Sequence, residues 1–374
     1  MISFIDLASQ QHRIRSDIER RINTVLDHGQ YIMGPEVAEL EAQLADYTHS
    51  KHVISCSSGT DALILALIAF GVKPGQGVIV PSFTFAASAE AIAVMGAIPV
   101  FAEIDARSFN LDAGKLDSAM AAAHAQKIEI VGIMAVGLFG QPADFTSLSA
   151  YAQAHKLWLL DDAAQSFGGK WQNQPSGSLA DITATSFFPA KPLGCYGDGG
   201  AVFTNDDQLA EIARSARIHG QGEDKYENTR IGMTARLDTI QAAILLSKLE
   251  IFDQELQLRN DLAESYHAVL SSLVTTPYIA PQAYSSWAQY VIILPEDADR
   301  SDVQKKMAAA NIPTAIYYPR PMHGQPPYRH YPVSEGGLAI TEYLADHVLA
   351  LPMHPYLDKQ VQKDVASALI SALG

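Results

Sequence analysis

An α/β fold, with a mainly parallel central sheet, helices on both faces and a smaller α+β unit at the C-terminal end, is predicted for this chain of 374 residues. Three observations carry the prediction. Over the first two thirds, short apolar runs alternate with amphipathic stretches, the pattern of crossover units around a parallel sheet. Residues 237–270 then contain neither Pro nor Gly and are rich in Leu, Ala, Glu and Gln, as a long helix or helix pair requires. Beyond them come a few strand-like and helix-like segments that would form the smaller unit. The predicted division is 1–245, with its N-terminal helices, and 246–374.

Taken in order, Pro35 after Gly34 suits the first turn of a helix that runs through Tyr47. His52–Cys56 reads as a strand, Ser57–Thr60 as a turn and Asp61–Phe70 as a helix. The alternation continues with a strand at Val78–Val80, a helix at Phe85–Val94, a strand at Ile98–Phe101 and a helix at Leu111–Ala125. Further strands fit Ile128–Val136, Leu157–Asp161, Ile182–Phe188 and Ala201–Thr204. In the C-terminal part, Trp287–Leu294 and Thr314–Tyr318 look like strands, and Asp302–Ala310 and Leu338–Leu349 like helices. The proline-rich stretch Pro319–Pro332 reads as an ordered loop, with a flexible linker as the alternative.

Composition narrows the function. With 48% hydrophobic and 18% charged residues the chain can bury a core across about two domains. A formal charge of -15 weighs against a nucleic-acid protein, which needs a basic face, but leaves room for a nucleotide ligand held by local cations and helix N-termini. Cys56 and Cys195 have no CxxC spacing, so neither a disulfide framework nor a metal site is expected. No run reaches the ~18 apolar residues of a membrane span, and the N-terminal residues lack the pattern of a leader, so a cytoplasmic address is expected by default.

The chemistry concentrates in the turns after the predicted strands, where open α/β sheets gather their ligands. Lys191 lies in Ser186-Phe187-Phe188-Pro189-Ala190-Lys191, before the glycine-rich Gly197-Asp198-Gly199-Gly200. A desolvated lysine amine can capture an aldehyde and later carry a proton, the task of a Schiff-base lysine for pyridoxal phosphate. Asp162, in Asp162-Ala163-Ala164-Gln165-Ser166 at a strand end, is the candidate partner of the cofactor's ring nitrogen; a helix-capping Asp is the plainer alternative. Ser58-Gly59-Thr60 opens a predicted helix and offers backbone N–H groups and hydroxyls to a phosphate, although such a run alone is more often a simple N-cap. Ser186 adds a possible third hydroxyl. Phe85, in Pro81-Ser82-Phe83-Thr84-Phe85, has either a ring to cover or a core to fill, and spacing alone does not choose. A nicotinamide dehydrogenase would want GxGxxG after the first strand, and none follows Val53-Ile54-Ser55.

These runs, together with Gly29-Gln30-Tyr31-Ile32-Met33-Gly34-Pro35-Glu36 and Arg236-Leu237-Asp238-Thr239-Ile240-Gln241, resemble the DegT/DnrJ/EryC1/StrS family of nucleotide-sugar aminotransferases over nearly the whole chain. The resemblance implies the fold-type-I, aspartate-aminotransferase-like architecture of pyridoxal-phosphate enzymes and a homodimer whose subunits share their active sites. It implies Lys191 as the covalent anchor, Asp162 on the pyridine nitrogen, Gln165 beside the ring hydroxyl, Ser58, Gly59, Thr60 and Ser186 around the phosphate, and Phe85 on the ring face. Arg236, Tyr317 and Tyr318 would contact the sugar, with Tyr31 near the nucleotide; interface packing is the alternative for the tyrosines. The implied reaction moves an amino group from L-glutamate to a nucleotide-linked keto sugar. Phe187–Gly200 and Leu351-Pro352-Met353-His354-Pro355 are most similar to the subgroup acting on UDP-2-acetamido-2-deoxy-3-oxo-D-glucuronate for bacterial surface polysaccharide. The alternative is a 4-keto or dTDP-linked 3-keto 6-deoxy sugar.

Two positions depart from the family pattern. Thr234 stands where relatives commonly carry an Asn that reaches the neighbouring subunit's cofactor phosphate, and Tyr317 where a His is frequent. Related sugar dehydratases replace the lysine by histidine, so Lys191 argues against that chemistry. A non-catalytic regulatory relative would not need Asp162, Gln165 and Lys191 together.

Overall fold

The computed structural model describes residues 2–224 and 226–374. Helices α1 (Leu7–His28) and α2 (Pro35–Thr48) precede the alternating region, which runs β1 (His52–Cys56), α3 (Gly59–Ala69), β2 (Gly77–Pro81), α4 (Ala86–Val94), β3 (Ile98–Ala102), α5 (Leu116–Ala125), β4 (Ile130–Val136), α6 (Phe145–His155) and β5 (Trp158–Asp162). Two short strands, β6 (Lys170–Trp171) and β7 (Gln174–Pro175), come before β8 (Ile182–Ser186), β9 (Gly200–Thr204) and α7 (Asp207–Arg217). The long α8 (Thr239–Leu270) leads to β10 (Ala283–Tyr284), β11 (Tyr290–Ile293), α9 (Arg300–Ala309), α10 (Ala339–His347), β12 (Val348–Leu351) and α11 (Lys359–Leu373).

The seven-stranded sheet has the order β1-β9-β8-β5-β4-β2-β3. From β3 to β8 every neighbouring pair is parallel, whereas β9 is antiparallel to both β8 and β1. The reversal has a local cause: no crossover helix separates β8 from β9, so the 187–199 segment turns the chain straight back. That segment, with Lys191, therefore stays at the carboxyl end of β8.

Alternation along the strands assigns the two faces. Ile54, Val78, Val80, Met134 and Leu160 pack on one face beneath α3, whose Ala62, Leu63, Leu65, Ala66 and Leu67 are all buried. Ile79, Val100, Ile133 and Leu159 face α5 and α6, and Val53, Ala201 and Phe203 face α2 and the first half of α8. The second half of α8 (Leu262, Tyr266, Leu270) belongs to another core with α9, α11 and the β11–β12 pair. One unbroken helix thus carries both cores.

Both sheet edges are covered. On β1, Ser55 N–H donates to Glu41 (2.9 Å) and the Ser55 carbonyl accepts from Arg217 Nη1 (2.9 Å), which also pairs with Glu41 at 2.6 Å. On β3, Phe101 N–H donates to the Pro332 carbonyl and the Phe101 carbonyl accepts from Ser334 N–H, each at 2.9 Å.

Several expectations need correction. The helix expected from Leu111 begins at Leu116, after a 3-10 turn at Ala113–Lys115 that Asp112 caps through Gly114 N–H. Thr314–Tyr318 is not a strand; only Ala315 forms a bridge, with Ala350. The strands expected at Trp287–Leu294 and Ile182–Phe188 are shorter, Tyr290–Ile293 and Ile182–Ser186. Helices α6, α7 and α11 were not anticipated, yet Asp144, Asp206 and Asp358 cap them through side-chain hydrogen bonds, a signal present in the sequence. Pro319–Pro332 is the ordered loop, with 3-10 turns at Met322–Gly324 and Pro326–Tyr328. Cys56 and Cys195 are free and buried.

Glu103, just past β3, ties the sheet to the C-terminal part. Its buried carboxylate accepts from Ile340 N–H (2.9 Å), Thr341 N–H (3.0 Å) and Thr341 Oγ1 (2.7 Å), supplying from 237 residues away the cap that Leu338 lacks. Glu103→Ala leaves those donors buried and unpaired and is expected to cost about 2–3 kcal/mol in chemical denaturation, with Glu103→Gln losing less.

Candidate active site

The carboxyl ends of five strands open on one cavity of about 490 Å³. Ser58, Gly59 and Thr60 follow β1, Thr84 and Phe85 follow β2, Val136 ends β4, Asp162 ends β5, and Ser186 ends β8, with Phe188 and Lys191 just beyond it. The opposite wall is Ile5, Gln289, Tyr317 and Tyr318. Ten of the thirteen residues singled out from the sequence therefore meet here: Ser58, Gly59, Thr60, Phe85, Asp162, Gln165, Ser186, Lys191, Tyr317 and Tyr318.

Lys191 and Asp162 set the electrostatics. Burial pulls the Lys191 amine below its ordinary pKa, and the charge of Asp162 opposes that shift. Burial pushes the Asp162 carboxyl up; the Ser88 hydroxyl, the Ala164 N–H and Lys191 hold it back. Ser88 Oγ donates to Asp162 Oδ2 at 2.7 Å and in turn meets Thr84 Oγ1 at 3.1 Å; Ala164 N–H donates to Oδ1 at 3.2 Å. Ser88 was not foreseen. Its signal was a lone hydroxyl in the alanine-rich run Ala86-Ala87-Ser88-Ala89, where only a buried partner justifies burying it.

Gln165 spends both ends of its amide on fixing its place. Oε1 accepts from Phe139 N–H at 2.8 Å, and Nε2 donates to the Tyr318 hydroxyl at 3.0 Å. Desolvation raises the Tyr318 phenol, which keeps it neutral and able to accept. Phe85 is 55% exposed at the cavity, with its ring 6.2 Å from that of Tyr318, so it is not a core residue.

The Ser58–Thr60 turn serves as a cap and leaves donors over. Ser58 Oγ accepts from Asp61 N–H at 3.0 Å, while the Gly59 and Thr60 N–H groups, in the first turn of α3, have no helical acceptor before them. A Cβ on Gly59 would meet Ser186 Cβ at 2.6 Å, and one on Gly200 would meet the Ser58 carbonyl at 2.4 Å. Both glycines let the turn press against β8 and β9. The residues present fit pyridoxal phosphate: an anion site at a helix N-terminus, an acid at the end of β5, and a lysine amine of lowered pKa in the same cavity.

Tyr31, Thr234 and Arg236 do not line this cavity. Thr234 is exposed and its hydroxyl lies 2.6 Å from His219 Nε2; Tyr31 is 49% exposed, its carbonyl accepting from Thr239 N–H at 2.9 Å; Arg236 is half-buried with its Nε unpaired. Ile5, Asp198 and Gln289 line the cavity without having been foreseen. Ile5 and Gln289 come from segments distant in sequence, which no local pattern announces.

Residues 12–370 match the DegT/DnrJ/EryC1/StrS aminotransferase family. The chain is 45% identical over 370 residues to the UDP-2-acetamido-2-deoxy-3-oxo-D-glucuronate aminotransferase of Pseudomonas aeruginosa, covering 99% of each. It superposes on the crystal structure of a DegT DnrJ EryC1 StrS aminotransferase from Brucella abortus with a TM-score of 0.97, at 44% identity and 100% of both chains. With NtdA from Bacillus subtilis, solved with bound cofactor PMP, the TM-score is 0.91 at 28% identity, over 100% of this chain and 85% of that one.

Asp161, beside Asp162 on β5, is fully buried; among the described residues one oxygen has no partner and the other accepts from Thr183 Oγ1 at 3.4 Å. Burial, and then the charge of Asp162, push it well above the usual carboxylate range. A carboxyl raised in the folded state favours unfolding as pH climbs past its unfolded value near 4, because only the unfolded chain ionises it freely. Asp161→Asn is therefore expected to gain stability relative to the parent between pH 5 and pH 8, roughly, as read by denaturant midpoints.

Proposed function

The chain belongs to the DegT/DnrJ/EryC1/StrS aminotransferase family, and from that premise we propose that it transfers the amino group of L-glutamate to the 3-keto group of UDP-2-acetamido-2-deoxy-3-oxo-D-glucuronate. The observation that carries the chemistry is that Lys191 and Asp162, whose charge acts on the Lys191 amine, line one cavity together with the free N-terminus of α3. The substrate rests on the full-length relative from Pseudomonas aeruginosa.

Bound pyridoxal phosphate supplies the electron sink that lets the proton on the amino acid's Cα depart. Lys191 would anchor the cofactor aldehyde, and its amine, which burial holds below its ordinary pKa, would carry the proton between the amino acid's Cα and the cofactor. Asp162 would pair with the ring nitrogen; the Ser88 hydroxyl and the Ala164 N–H hold its oxygens in place. The Gly59 and Thr60 N–H groups, with the Thr60 and Ser186 hydroxyls, would hold the phosphate. Phe85 would cover the ring, and Gln165, held by Phe139 and Tyr318, would serve the ring hydroxyl. The same Lys191 amine would serve both half-reactions.

In a homodimer with shared sites, Tyr31, Thr234 and Arg236, which stand outside their own chain's cavity, serve the partner's site. Thr234 offers the phosphate a shorter reach than Asn, and Arg236 offers a cation to the sugar carboxylate or diphosphate. Tyr317 and Tyr318 bound the sugar from the C-terminal side. Among the described residues no helix is long and apolar enough to cross a membrane, in keeping with a cytoplasmic enzyme that feeds bacterial surface polysaccharide synthesis.

Lys191→Ala is expected to lower turnover by about 10²–10⁴-fold or more, and borohydride should fix cofactor on the peptide containing Lys191 in the parent and nowhere in the variant. Activity at the parental rate in the variant removes Lys191 from the mechanism. The cofactor's amine form, mixed with UDP- and dTDP-linked 3- and 4-keto sugars, should regain the absorbance of the aldehyde form fastest with the UDP-linked 3-keto uronate. Arg236→Ala should raise KM for the sugar by roughly 10–100-fold and leave that for glutamate nearly unchanged.

A further inference from the structure

Early in its course the loop after Tyr318 is fastened to the segment that leads from β2 to Phe85. Ser82, fully buried and directly after β2, receives two successive N–H groups: Met322 N–H donates to its carbonyl at 2.9 Å and His323 N–H to its Oγ at 3.1 Å. The His323 ring closes the same contact, with Nδ1 2.8 Å from Ser82 Oγ, and its other nitrogen lies 3.2 Å from Glu342 on α10. Among the described residues no other acceptor faces the Ser82 hydroxyl, so its proton goes to Nδ1, and Nε2–H faces Glu342.

This clasp joins the two sides of the active-site cavity. On one side of Ser82 the chain continues into Phe83, Thr84 and Phe85, and through Ser88 to Asp162. On the other, His323 follows Tyr317 and Tyr318 by a few residues, and the Tyr318 ring packs 6.4 Å from Phe83 and 6.2 Å from Phe85. The Gln165 bond holds the tip of Tyr318, and the clasp ties the chain beyond it to the segment that carries Phe85. The contributions are unequal: the Glu342 side chain is 62% exposed, and such a pair adds little, whereas the Ser82 bonds are made at a fully buried hydroxyl.

We propose that His323 is a positioning residue for the acceptor sugar: clasped to Ser82, it fixes the spacing between the Phe85 wall and the Tyr317–Tyr318 wall. The proposal rests on the aminotransferase reading above for its substrate, and on Ser82, Met322 and His323 for its geometry. It separates two kinds of loss. Releasing the clasp widens the sugar side of the cavity, while Lys191, Asp162 and the phosphate turn keep their own supports.

The test compares Ser82→Ala, His323→Ala, the double variant and His323→Asn, all with cofactor bound. The asparagine carbonyl takes the place of Nδ1 as acceptor for the Ser82 hydroxyl. Each alanine variant should raise KM for the keto sugar about tenfold with the glutamate half-reaction within about twofold of the parent. The double variant should be no worse than the singles, and His323→Asn should recover most of the loss. Amide hydrogen exchange of residues 319–328 should quicken in the alanine variants and stay slow in His323→Asn. An unchanged sugar KM in the alanine variants, losses that multiply in the double variant, or asparagine no better than alanine overturns the proposal. If the parent itself fails to use any keto sugar, the proposed substrate falls instead, and the exchange pattern alone then decides whether the clasp exists: unaltered exchange in His323→Ala overturns it.

Discussion

The active site depends on two charges that burial would each neutralise and that sustain one another. Desolvation disfavours the ammonium form of Lys191 and the carboxylate form of Asp162, yet each lies in the field of the other. In the proposed roles a lysine would have to lose its proton to act as a nucleophile and an acid would have to keep its charge to balance a cationic ring; an environment that was only apolar would serve the first and defeat the second. Short-range donors act on the acid: the Ser88 hydroxyl and the Ala164 N–H bond to the carboxylate, and among the described residues no hydrogen-bond partner faces the amine.

Topology puts those groups within reach. Asp162 ends a parallel strand, and the other cavity residues lie at or just past the carboxyl ends of β1, β2, β4 and β8, which the connections collect on one side of the sheet. Lys191 needed a different device, because a crossover helix after β8 would have carried the chain away. The reversed strand β9 keeps the lysine segment at the same edge, and Gly200 lets β9 approach Ser58 closely enough to seat the phosphate turn beside it. Ile5, Gln289, Tyr317 and Tyr318 add the remaining wall.

The parts of this arrangement that were legible in the sequence are those written locally. Strand-then-turn patterns located Ser58, Asp162, Ser186 and Lys191, and the helix over 239–270 announced itself by the absence of breakers. What stayed hidden depends on partners far apart in the chain. Ser88 finds Asp162 across 74 residues and Glu103 finds Thr341 across 238, and neither spacing has a period to detect. Thr314–Tyr318 looked like a strand because its composition is β-branched and aromatic; its aromatic end is instead spent on the cavity wall, and one bridge at Ala315 is all the pairing it makes. Tyr31, Thr234 and Arg236 were read through a resemblance, and no pattern in the sequence told that they would stand outside the cavity of their own chain.

The cover on the β3 edge is made of residues 332–334, more than two hundred positions after the strand it protects. At ribosomal speeds of about 5–20 residues per second, β3 is made roughly ten to fifty seconds before its seal. The β1 edge is covered earlier, since Arg217 precedes residues 332–334 in the chain and Glu41 is already present. For that interval the nascent sheet carries one open, strongly apolar margin, the kind at which strands of neighbouring polypeptides join. The hazard of misassembly in this enzyme is therefore lopsided, and it ends only when the loop beyond the cavity's Tyr317 and Tyr318 closes the sheet.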